Sequence, residues 1–226
     1  MPKEKEDEAI LPQAISLPQP AKLSPTLPNL LVVLSGPSGV GKGTLVQQYL
    51  QTHSRTFLSI SATTRLPRNC EQDGVHYRFI DPDCFQEMRN QGELLEWAEV
   101  FGDLYGSPRR PVEEALADGR DVILEIDVQG GLKIRQAMPE AVLLFVLPPT
   151  FEELSRRLCA RRTESPERIE FRLQTARLEL EALSQYDYLL VNDRLQEAVA
   201  IFRSIIEAER RRISRIVPRQ EGDWLK

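Results

Sequence analysis

The sequence predicts an α/β fold, a parallel β-sheet flanked by helices, with a small lobe inserted into it. The first observation is a set of short, unbroken apolar runs, such as residues 30–34 and 141–147, which suit strands buried on both faces. The second is that helical patterns lie between these runs, and such alternation is typical of a parallel, doubly wound sheet. The third is residues 56–107, where short strand patterns surround one short helical pattern and interrupt the alternation.

The individual elements follow from the same patterns. In the alternating part, strands are predicted at residues 30–34, 121–127, 141–147 and 188–191. Helices are predicted there at residues 41–51, 111–118, 128–137, 150–161, 166–184 and 195–216. In the interrupting part, strands are predicted at residues 57–62, 77–80 and 93–100, with a helix at 83–91. Residues 1–28 hold six of the 16 prolines and no glycine, and we interpret them as a disordered, proline-rich extension, with a partner-binding arm as the alternative.

Charge, cysteine content and hydropathy exclude several classes of function. The formal net charge is -5 and the pI about 5.3, which leaves no overall basic field for gripping nucleic acid. The 3 cysteines and 2 histidines are not in metal-ligand spacing, which argues for a reducing compartment and against a zinc site. No apolar run approaches the roughly 18 residues that indicate a membrane-spanning helix. We therefore expect a cytoplasmic protein without nucleic-acid or membrane partners, either a monomer or a homodimer.

A glycine-rich segment directly after the first strand carries the clearest functional signal. It has the spacing of a Walker A loop and opens a helix, which is the context that this motif requires. Glycines let backbone amides turn onto phosphate oxygens, the helix start adds its N–H groups, and Lys42 supplies a charge for the β and γ phosphates of ATP. The alternative is a glycine-rich turn without a ligand. The predicted ATP-binding residues of this phosphate loop are Gly36, Pro37, Ser38, Gly39, Val40, Gly41, Lys42, Gly43 and Thr44.

The phosphate loop departs from the motif at one position, directly after Lys42. A serine or threonine hydroxyl usually reaches Mg²⁺ from there, but the residue is Gly43 and the hydroxyl follows at Thr44. Either Thr44 binds the metal instead, or Mg²⁺ is held by nucleotide oxygens, water and carboxylates.

The interrupting segment contains four motifs, in this order: SISATTRLPR at 59–68, DGVHYRF at 73–79, EWAE at 96–99 and LYGS at 104–107. With the phosphate loop ahead of them, they closely resemble guanylate kinase, a member of the P-loop NTPase class. The resemblance covers residues 29–213. It implies a core at 29–55, 108–149 and 186–213, a GMP-binding inserted lobe at 56–107 and an arginine-rich lid at about 150–172. Residues 214–226 are then a C-terminal tail.

The resemblance assigns four residues to the phosphate of GMP. Arg65 and Arg68 match the arginines that hold it, and two planar, permanently charged guanidinium groups suit a dianion. Pro67 favours extended geometry at the preceding residue and a turn that brings the two arginines together. Tyr77 and Tyr105 match tyrosines whose hydroxyls donate to the same phosphate, with ordinary core packing as the alternative for both.

Glu96 is the residue that the resemblance assigns to the guanine base. A carboxylate accepts from guanine N1–H and from the N2 amino group at once, and adenine offers no such pair. Adenine would therefore leave a buried carboxylate unpaired, which is costly. For Glu96 taken alone, a solvated glutamate is the alternative. The other residues that match guanine-pocket positions are Ser61, Ser107 and Asp127.

Two carboxylates end an apolar strand on the same side of the chain. The segment Glu125-Ile126-Asp127 closes the strand predicted at 121–127, and alternation directs the first and last of these side chains toward one site. The family usually has aspartate where this chain has Glu125. We therefore expect Glu125 to act near Lys42 and Mg²⁺, with a side chain that is one methylene longer than that of aspartate.

The lid and one strand end supply the remaining family matches. Arg157, Arg161 and Arg172 match arginines that neutralise the transferring phosphoryl group, with a solvated helical face as the alternative. Arg162 replaces the family's usual glycine. Asn192 matches a residue beside the ATP base, and a strand-end or helix-capping asparagine is the alternative.

Taken together, the matches imply an enzyme that transfers the γ-phosphoryl of Mg·ATP to GMP, and also to dGMP, in purine nucleotide metabolism. One alternative is a kinase for another nucleoside monophosphate, but the inserted lobe does not resemble those of adenylate kinases. The other is a catalytically inactive, guanylate-kinase-like module that binds a phosphorylated partner. The intact Lys42 argues against this module, because such modules typically have a degraded phosphate loop.

Overall fold

The structure, a computed structural model, describes residues 29–68, 71–160 and 166–216 of the 226-residue chain. The predicted extension at 1–28, both Arg161 and Arg162, and residues 217–226 lie outside the described residues. The strands are β1 (Leu31–Ser35), β2 (Thr56–Ser59), β3 (Ala62–Thr63), β4 (Arg78–Phe79), β5 (Leu94–Val100), β6 (Asp103–Pro108), β7 (Asp121–Glu125), β8 (Val142–Leu147) and β9 (Tyr188–Val191). The helices are α1 (Lys42–Leu50), α2 (Pro82–Asn90), α3 (Arg109–Ala117), α4 (Val128–Ala137), α5 (Phe151–Ala160), α6 (Pro166–Glu179), α7 (Leu195–Arg210) and α8 (Ile213–Ile216), and a 3₁₀ helix over Leu180–Gln185 follows α6.

A five-stranded parallel sheet in the order β2-β7-β1-β8-β9 forms the core. Its central strand β1 alternates between two apolar clusters, one on each face. Val32 and Leu34 pack with residues of α1 and α7, whereas Leu31 and Val33 pack with residues of α3 and α4. Burying one such side chain stabilises the fold by about 1.5–3 kcal/mol. The predicted fold class, a parallel sheet covered by helices with a separate small lobe, is confirmed.

The placement of one predicted strand was wrong. The strand expected at residues 57–62 of the inserted lobe is two strands in the structure. β2 belongs to the core sheet, where Phe57 lies opposite Val122 and Leu58 opposite Ile123 of β7. The physical reason is that these two apolar side chains pack against the core clusters. The strands of the inserted lobe therefore begin only at β3, while the predicted bounds of the domain, lid and tail stay predictions.

The inserted lobe contains a four-stranded sheet in the order β4-β3-β6-β5, packed on α2. Its strand β6 was not predicted, although it pairs antiparallel with both β3 and β5. The strand was not predicted because it contains Gly106, and glycine is a poor strand former. The packing requires it, since a Cβ there would lie 2.9 Å from Leu94 Cδ1 and 3.1 Å from the Glu96 carbonyl oxygen.

The C-terminal helices attach to the core at the edge where β1 begins. Arg210, the last residue of α7, donates a hydrogen bond to buried Asp121, whose other carboxylate oxygen accepts from the Leu30 N–H at 3.0 Å. Arg215 of α8 donates to buried Glu209 at 3.0 Å. The opposite edge, at the carboxyl ends of the strands, is thereby left for the site. Within the described part of the chain, every helix is too short or too polar to span a bilayer.

Candidate active site

A cleft of about 490 Å³ lies at the carboxyl ends of the core strands, between the phosphate loop and the inserted lobe. This edge of a doubly wound sheet is where ligands bind, and the volume suits small molecules. Helix α6 forms one side of the cleft. The predicted site residues that line it are Gly36, Ser38, Gly39, Gly41, Lys42, Gly43, Thr44, Ser61, Arg65, Arg68, Tyr77, Glu96, Tyr105, Glu125, Asp127 and Arg172.

The phosphate loop turns back over the end of β1 before it enters α1. Its backbone passes through left-handed conformations, with a φ of 133° at Gly36 and of 93° at Gly41, the residue that precedes the helix. Lys42 Nζ donates to the carbonyl oxygen of Gly36 at 2.6 Å and to that of Pro37 at 3.3 Å. The ammonium group therefore lies over the loop, beside the positive end of the α1 dipole, and the two together attract phosphate.

We expect Gly36→Ala to lower the free energy of unfolding of the protein. A Cβ at this position would lie 2.2 Å from the Val146 carbonyl oxygen of β8, on a backbone conformation that side chains rarely adopt. The clash and the strain together cost about 2–5 kcal/mol of the free energy of unfolding, which urea unfolding measures. Gly119→Ala is the matched control, because Gly119 has a φ of +71° and a Cβ added there would meet nothing within 4 Å. Equal destabilisation by both substitutions would contradict the close contact.

Arg157 and Asn192 brace the phosphate loop from behind and do not line the cleft. Asn192 is buried, and its Nδ2 donates to the Val40 carbonyl oxygen at 2.8 Å. Arg157 Nη1 donates to the same oxygen at 3.1 Å, and its Nη2 donates to the Asn192 carbonyl oxygen at 3.0 Å. Glu153 accepts from Arg157 Nε at 2.7 Å. Asn192 does not cap α7, whose N-cap is Arg194, and its place beside the base of ATP stays a prediction.

Helix α6 presents a polar stripe to the cleft. Arg172 is only 5% exposed, and its Nη1 donates to Ser38 Oγ of the phosphate loop at 2.8 Å. Thr175 and Glu179 lie on the same helical face and line the cleft with it. Burial raises the pKa of the Glu179 carboxyl to about 7, with the charge of Lys42 lowering it and that of Asp127 raising it further.

The two arginines predicted to hold the acceptor phosphate share one carboxylate, that of Glu71. Arg65 Nη2 donates to Glu71 Oε1 at 2.9 Å, and the backbone N–H of Arg68 donates to Oε2 at 2.9 Å. Burial alone would raise the pKa of Glu71, but the hydrogen bonds from Arg68 and Arg65 and their charges hold it below its usual value. Glu71 is therefore an anion that orients both guanidinium-bearing residues at the cleft wall.

The two predicted tyrosines lie beside this pair. Arg65 Nε donates to the Tyr105 hydroxyl oxygen at 3.1 Å, which leaves the hydroxyl hydrogen of Tyr105 for another acceptor. The Tyr77 and Tyr105 rings meet edge to face, with 5.8 Å between their centroids. Burial, with a smaller contribution from the charge of Glu125, raises the pKa of Tyr77 to about 12. The Tyr77 hydroxyl therefore stays protonated near neutral pH and can donate to an anion.

Glu96 of β5 lies where the inserted lobe meets helix α4 of the core, and it is held from two sides. Ser107, fully buried on β6, donates from Oγ to Glu96 Oε1 at 2.7 Å, so this predicted pocket residue orients the carboxylate. Gly130 of α4 makes room for it, because a Cβ there would lie 2.7 Å from Glu96 Oε2. Asp127 caps α4 by accepting from the Gly130 N–H at 3.1 Å and, with Ser61, lines the cleft nearby.

The electrostatics of Glu96 favour a ligand that donates hydrogen bonds. Burial raises the pKa of this carboxyl to about 7, against the hydrogen bond from Ser107. The charge of Asp127 raises the pKa further, whereas that of Lys133 lowers it. Lys133 donates to the Trp97 carbonyl oxygen and lies 4.6 Å from the centre of the Trp97 ring, which anchors β5 next to Glu96. Two N–H donors on a bound base would offset the lost hydration of the carboxylate.

Both candidate metal ligands line the cleft beside the phosphate loop. Thr44 lies in the first turn of α1 and Glu125 at the end of β7, and both line the cleft. A Cβ on Gly43 would lie 3.3 Å from Glu125 Oε2. A side chain at position 43 would press on the Glu125 carboxylate, so both departures from the expected pattern occur at one point. Hydroxyl and carboxylate oxygens are the donors that Mg²⁺ prefers, and these residues fit it.

Three charged residues of the site were not predicted from the sequence: Glu71, Lys133 and Glu179. Helical spacing was a usable signal for Glu179, which follows Arg172 by two turns on the same face of α6. Lys133 comes near Glu96 only because α4 packs on β5, and no local sequence pattern predicts that packing. Glu71 is recognisable only once the two arginines are known to converge.

Comparison with known proteins agrees with this geometry. A family model described as "Guanylate kinase" matches residues 29–209. A relative described as guanylate kinase from Desulfitobacterium hafniense is 52% identical over 187 residues, which cover 83% of this chain and 94% of the relative. One from Thermus thermophilus is 52% identical over 186 residues, covering 82% and 84%. The crystal structure of guanylate kinase from Anaplasma phagocytophilum matches with a TM-score of 0.72 and 34% identity, over 84% of this chain and 90% of that one.

Proposed function

This chain belongs to the guanylate kinase family and has its ATP:GMP phosphotransferase activity, and we propose that the transfer is a direct in-line reaction across the cleft described above. ATP binds at the phosphate loop, GMP binds in the inserted lobe, and the products are ADP and GDP. One observation carries the proposal: a phosphate cradle and a buried carboxylate, Glu96, line the same cleft. No protein nucleophile is needed, because phosphoryl transfer depends on positioning and charge stabilisation.

The acceptor end of the cleft suits both halves of GMP. Glu96 accepts from guanine N1–H and the N2 amino group, with Ser107 keeping the carboxylate in place and Ser61 and Asp127 beside it. At the other end of the nucleotide, the phosphate lies against the pair of arginines that Glu71 orients. The predicted phosphate contacts are Arg65, Arg68, Tyr77 and Tyr105, whose side chains can all donate hydrogen bonds in this arrangement.

The donor end binds the triphosphate and offsets its charge. Backbone amides of the phosphate loop and Lys42 contact the phosphates of ATP, and Arg172 adds a second positive charge beside Ser38. Two phosphate dianions repel each other strongly in a cleft that excludes water, so these charges let both approach. Arg157 braces the loop at Val40, and its direct contact with the transferring phosphoryl group stays a prediction. Arg161 lies outside the described residues, and its catalytic role stays a prediction.

Mg²⁺, which supplies charge neutralisation between the phosphates when it is bound with ATP, would be held by Thr44 and Glu125. The Glu125 carboxylate lies next to Gly43, the position where the motif usually has a hydroxyl, so Glu125 can serve in place of that hydroxyl. Lys42 lies in the same part of the cleft and directs its ammonium group over the loop.

A coupled assay with Mg·ATP and a panel of acceptors tests the proposed specificity. The panel is GMP, dGMP, AMP, CMP and UMP. We expect GMP and dGMP to be used and the other three to have kcat/KM values lower by at least about 10³-fold, because a site built for two N–H donors rejects bases that lack them. Comparable use of AMP or of a pyrimidine nucleotide would contradict the role of Glu96. Absence of turnover with every acceptor, from folded protein, would favour the inactive binding module.

A further inference from the structure

The tip of the β5–β6 hairpin touches helix α6 across the cleft, through Phe101. We infer that Phe101 is a positioning residue for phosphoryl transfer: its ring holds Arg172 against the phosphate loop when the inserted lobe is closed over the cleft. This inference rests on the proposed role of Arg172 in neutralising the transferring phosphoryl group. It adds a residue of the inserted lobe to the machinery that acts on ATP.

The backbone at Phe101 has a left-handed conformation that is strained for a bulky residue. Phe101 and Gly102 form the two-residue turn between β5 and β6, with φ values of 58° and 86°. Within residues 29–68, 71–160 and 166–216, Phe101 is the one non-glycine residue with a positive φ. Asparagine, aspartate and glycine suit such a turn, whereas a bulky side chain is strained in it, and retained strain indicates another use for the side chain.

The ring of Phe101 makes two specific contacts, both with helix α6. It meets the Phe171 ring edge to face, with 5.6 Å between centroids and an interplanar angle of 67°. The guanidinium carbon of Arg172 lies 5.1 Å from the centre of the Phe101 ring. Phe171 stays 55% exposed, so its aromatic ring is not part of the buried core. These contacts orient both residues without adding much to the packing of the fold.

Arg172 is held from two sides by this arrangement. Its guanidinium group contacts the Phe101 ring and donates to Ser38 Oγ of the phosphate loop at 2.8 Å. A continuous path of contacts therefore runs from the lobe hairpin through α6 to the loop. Glu96 lies on the same hairpin, five residues before Phe101. The hairpin that carries the guanine-reading Glu96 therefore also holds the arginine that bonds to the phosphate loop.

The first test replaces Phe101 with a residue that fits the turn. Phe101→Asn relieves the backbone strain and removes the ring, so the melting temperature should stay unchanged or rise. We expect kcat for GMP to fall about 5–30-fold, as loss of the aromatic and cation–π contacts to an oriented arginine implies. The KM values for ATP and GMP should stay within about threefold, because the residues assigned to bind either nucleotide are unchanged. Phe101→Tyr keeps the ring and should restore kcat.

A double-mutant cycle tests whether the two rings act together. Phe171→Ala alone should lower kcat, as Phe101→Asn does. The fold-loss of kcat in the double variant should be at least about threefold smaller than the product of the two single fold-losses. Leu178→Ala is the matched control, since Leu178 is also an exposed apolar residue of α6. Additive effects of Phe101→Asn and Phe171→Ala on kcat, or an equal effect of Leu178→Ala, would overturn the inference.

A variant of the arginine separates this inference from the proposed function. Arg172→Gln should lower kcat further than Phe101→Asn does, and Phe101→Asn should then have little additional effect in the Arg172→Gln background. A normal kcat for Arg172→Gln would overturn the proposed role of the arginine itself. A large loss for Arg172→Gln combined with a normal kcat for Phe101→Asn would overturn only the positioning role of the ring.

Discussion

Lys42→Ala is expected to lower kcat by about 10²–10³-fold with the fold intact, the effect of removing one donor aimed at charge that develops in a transition state. The Lys42 ammonium lies over the phosphate loop, held by the carbonyl oxygens of Gly36 and Pro37. On transfer, negative charge shifts toward the bridging and leaving oxygens of ATP, and the cation stabilises that shift most strongly in a cleft closed to water. The coupled assay with GMP measures the loss.

Two further measurements make this result specific to the cation. Gln48→Ala is the control on the same helix, because Gln48 bonds to Gln51 outside the cleft and should not affect turnover. Thermal unfolding should show that Lys42→Ala still folds, with a loss of about 1–3 kcal/mol for its hydrogen bonds to the loop. A kcat within about tenfold of normal would contradict a transition-state role for Lys42.

Glu96→Gln is expected to lower kcat/KM for GMP by about 10²–10⁴-fold, the range for losing a charged hydrogen-bond pair and leaving buried donors unmatched. The amide would place an NH₂ group where the guanine amino group needs an acceptor. Because Glu96 lies in the inserted lobe, held by Ser107 and not by the phosphate loop, KM for ATP should change by less than about threefold. Equal losses for both nucleotides would remove the base-reading role.

Glu99→Gln is the matched control for this substitution. Glu99 lies on the same strand β5, three residues further along, and its side chain is exposed. The change of residue type is identical, so an effect of the overall charge of the lobe would appear in both variants. We expect Glu99→Gln to keep the kcat/KM for GMP of the natural protein.

The raised pKa of Glu96 predicts a pH dependence that this variant should lose. With a pKa of about 7, the group is protonated below that pH and cannot accept two hydrogen bonds. Since only the ionised form binds guanine, kcat/KM for GMP should fall about tenfold per pH unit below about 7. Glu179, with a pKa also of about 7, and the phosphate of GMP titrate in the same region. The part of the fall in kcat/KM at low pH that is absent in Glu96→Gln is therefore due to the titration of Glu96.

The course of the phosphate loop, from strand through turn to helix, could be predicted from the sequence because it is local, whereas its contacts with ATP stay predictions. Nine consecutive residues carry the turn, the helix start and the lysine, and the apolar run before them is a buried strand. The core strands were predictable for a similar reason, since parallel strands covered on both faces read as continuous apolar runs. β6 was missed because its glycine serves close packing against β5, which only the assembled sheet reveals.

The relations between distant residues could not be derived from spacing. Arg172 bonds to Ser38 although 134 residues separate them, and Ser107 supports Glu96 through the cross-strand register of β5 and β6. The resemblance to a family named these residues, but only the fold shows that Ser107 serves Glu96 and that Arg157 braces the loop. Phe101 has no motif at all, and its role becomes visible only through its φ and its two contacts.

A crystal structure of the protein with GMP bound tests the central claim most directly. We predict guanine N1 and N2 each within about 3 Å of a Glu96 carboxylate oxygen, as hydrogen bonds require. The phosphate should lie in the same molecule against Arg65, Arg68 and the two tyrosines, facing the phosphate loop. A base that lies away from Glu96, with the phosphate of GMP seated in the loop instead, would contradict the account.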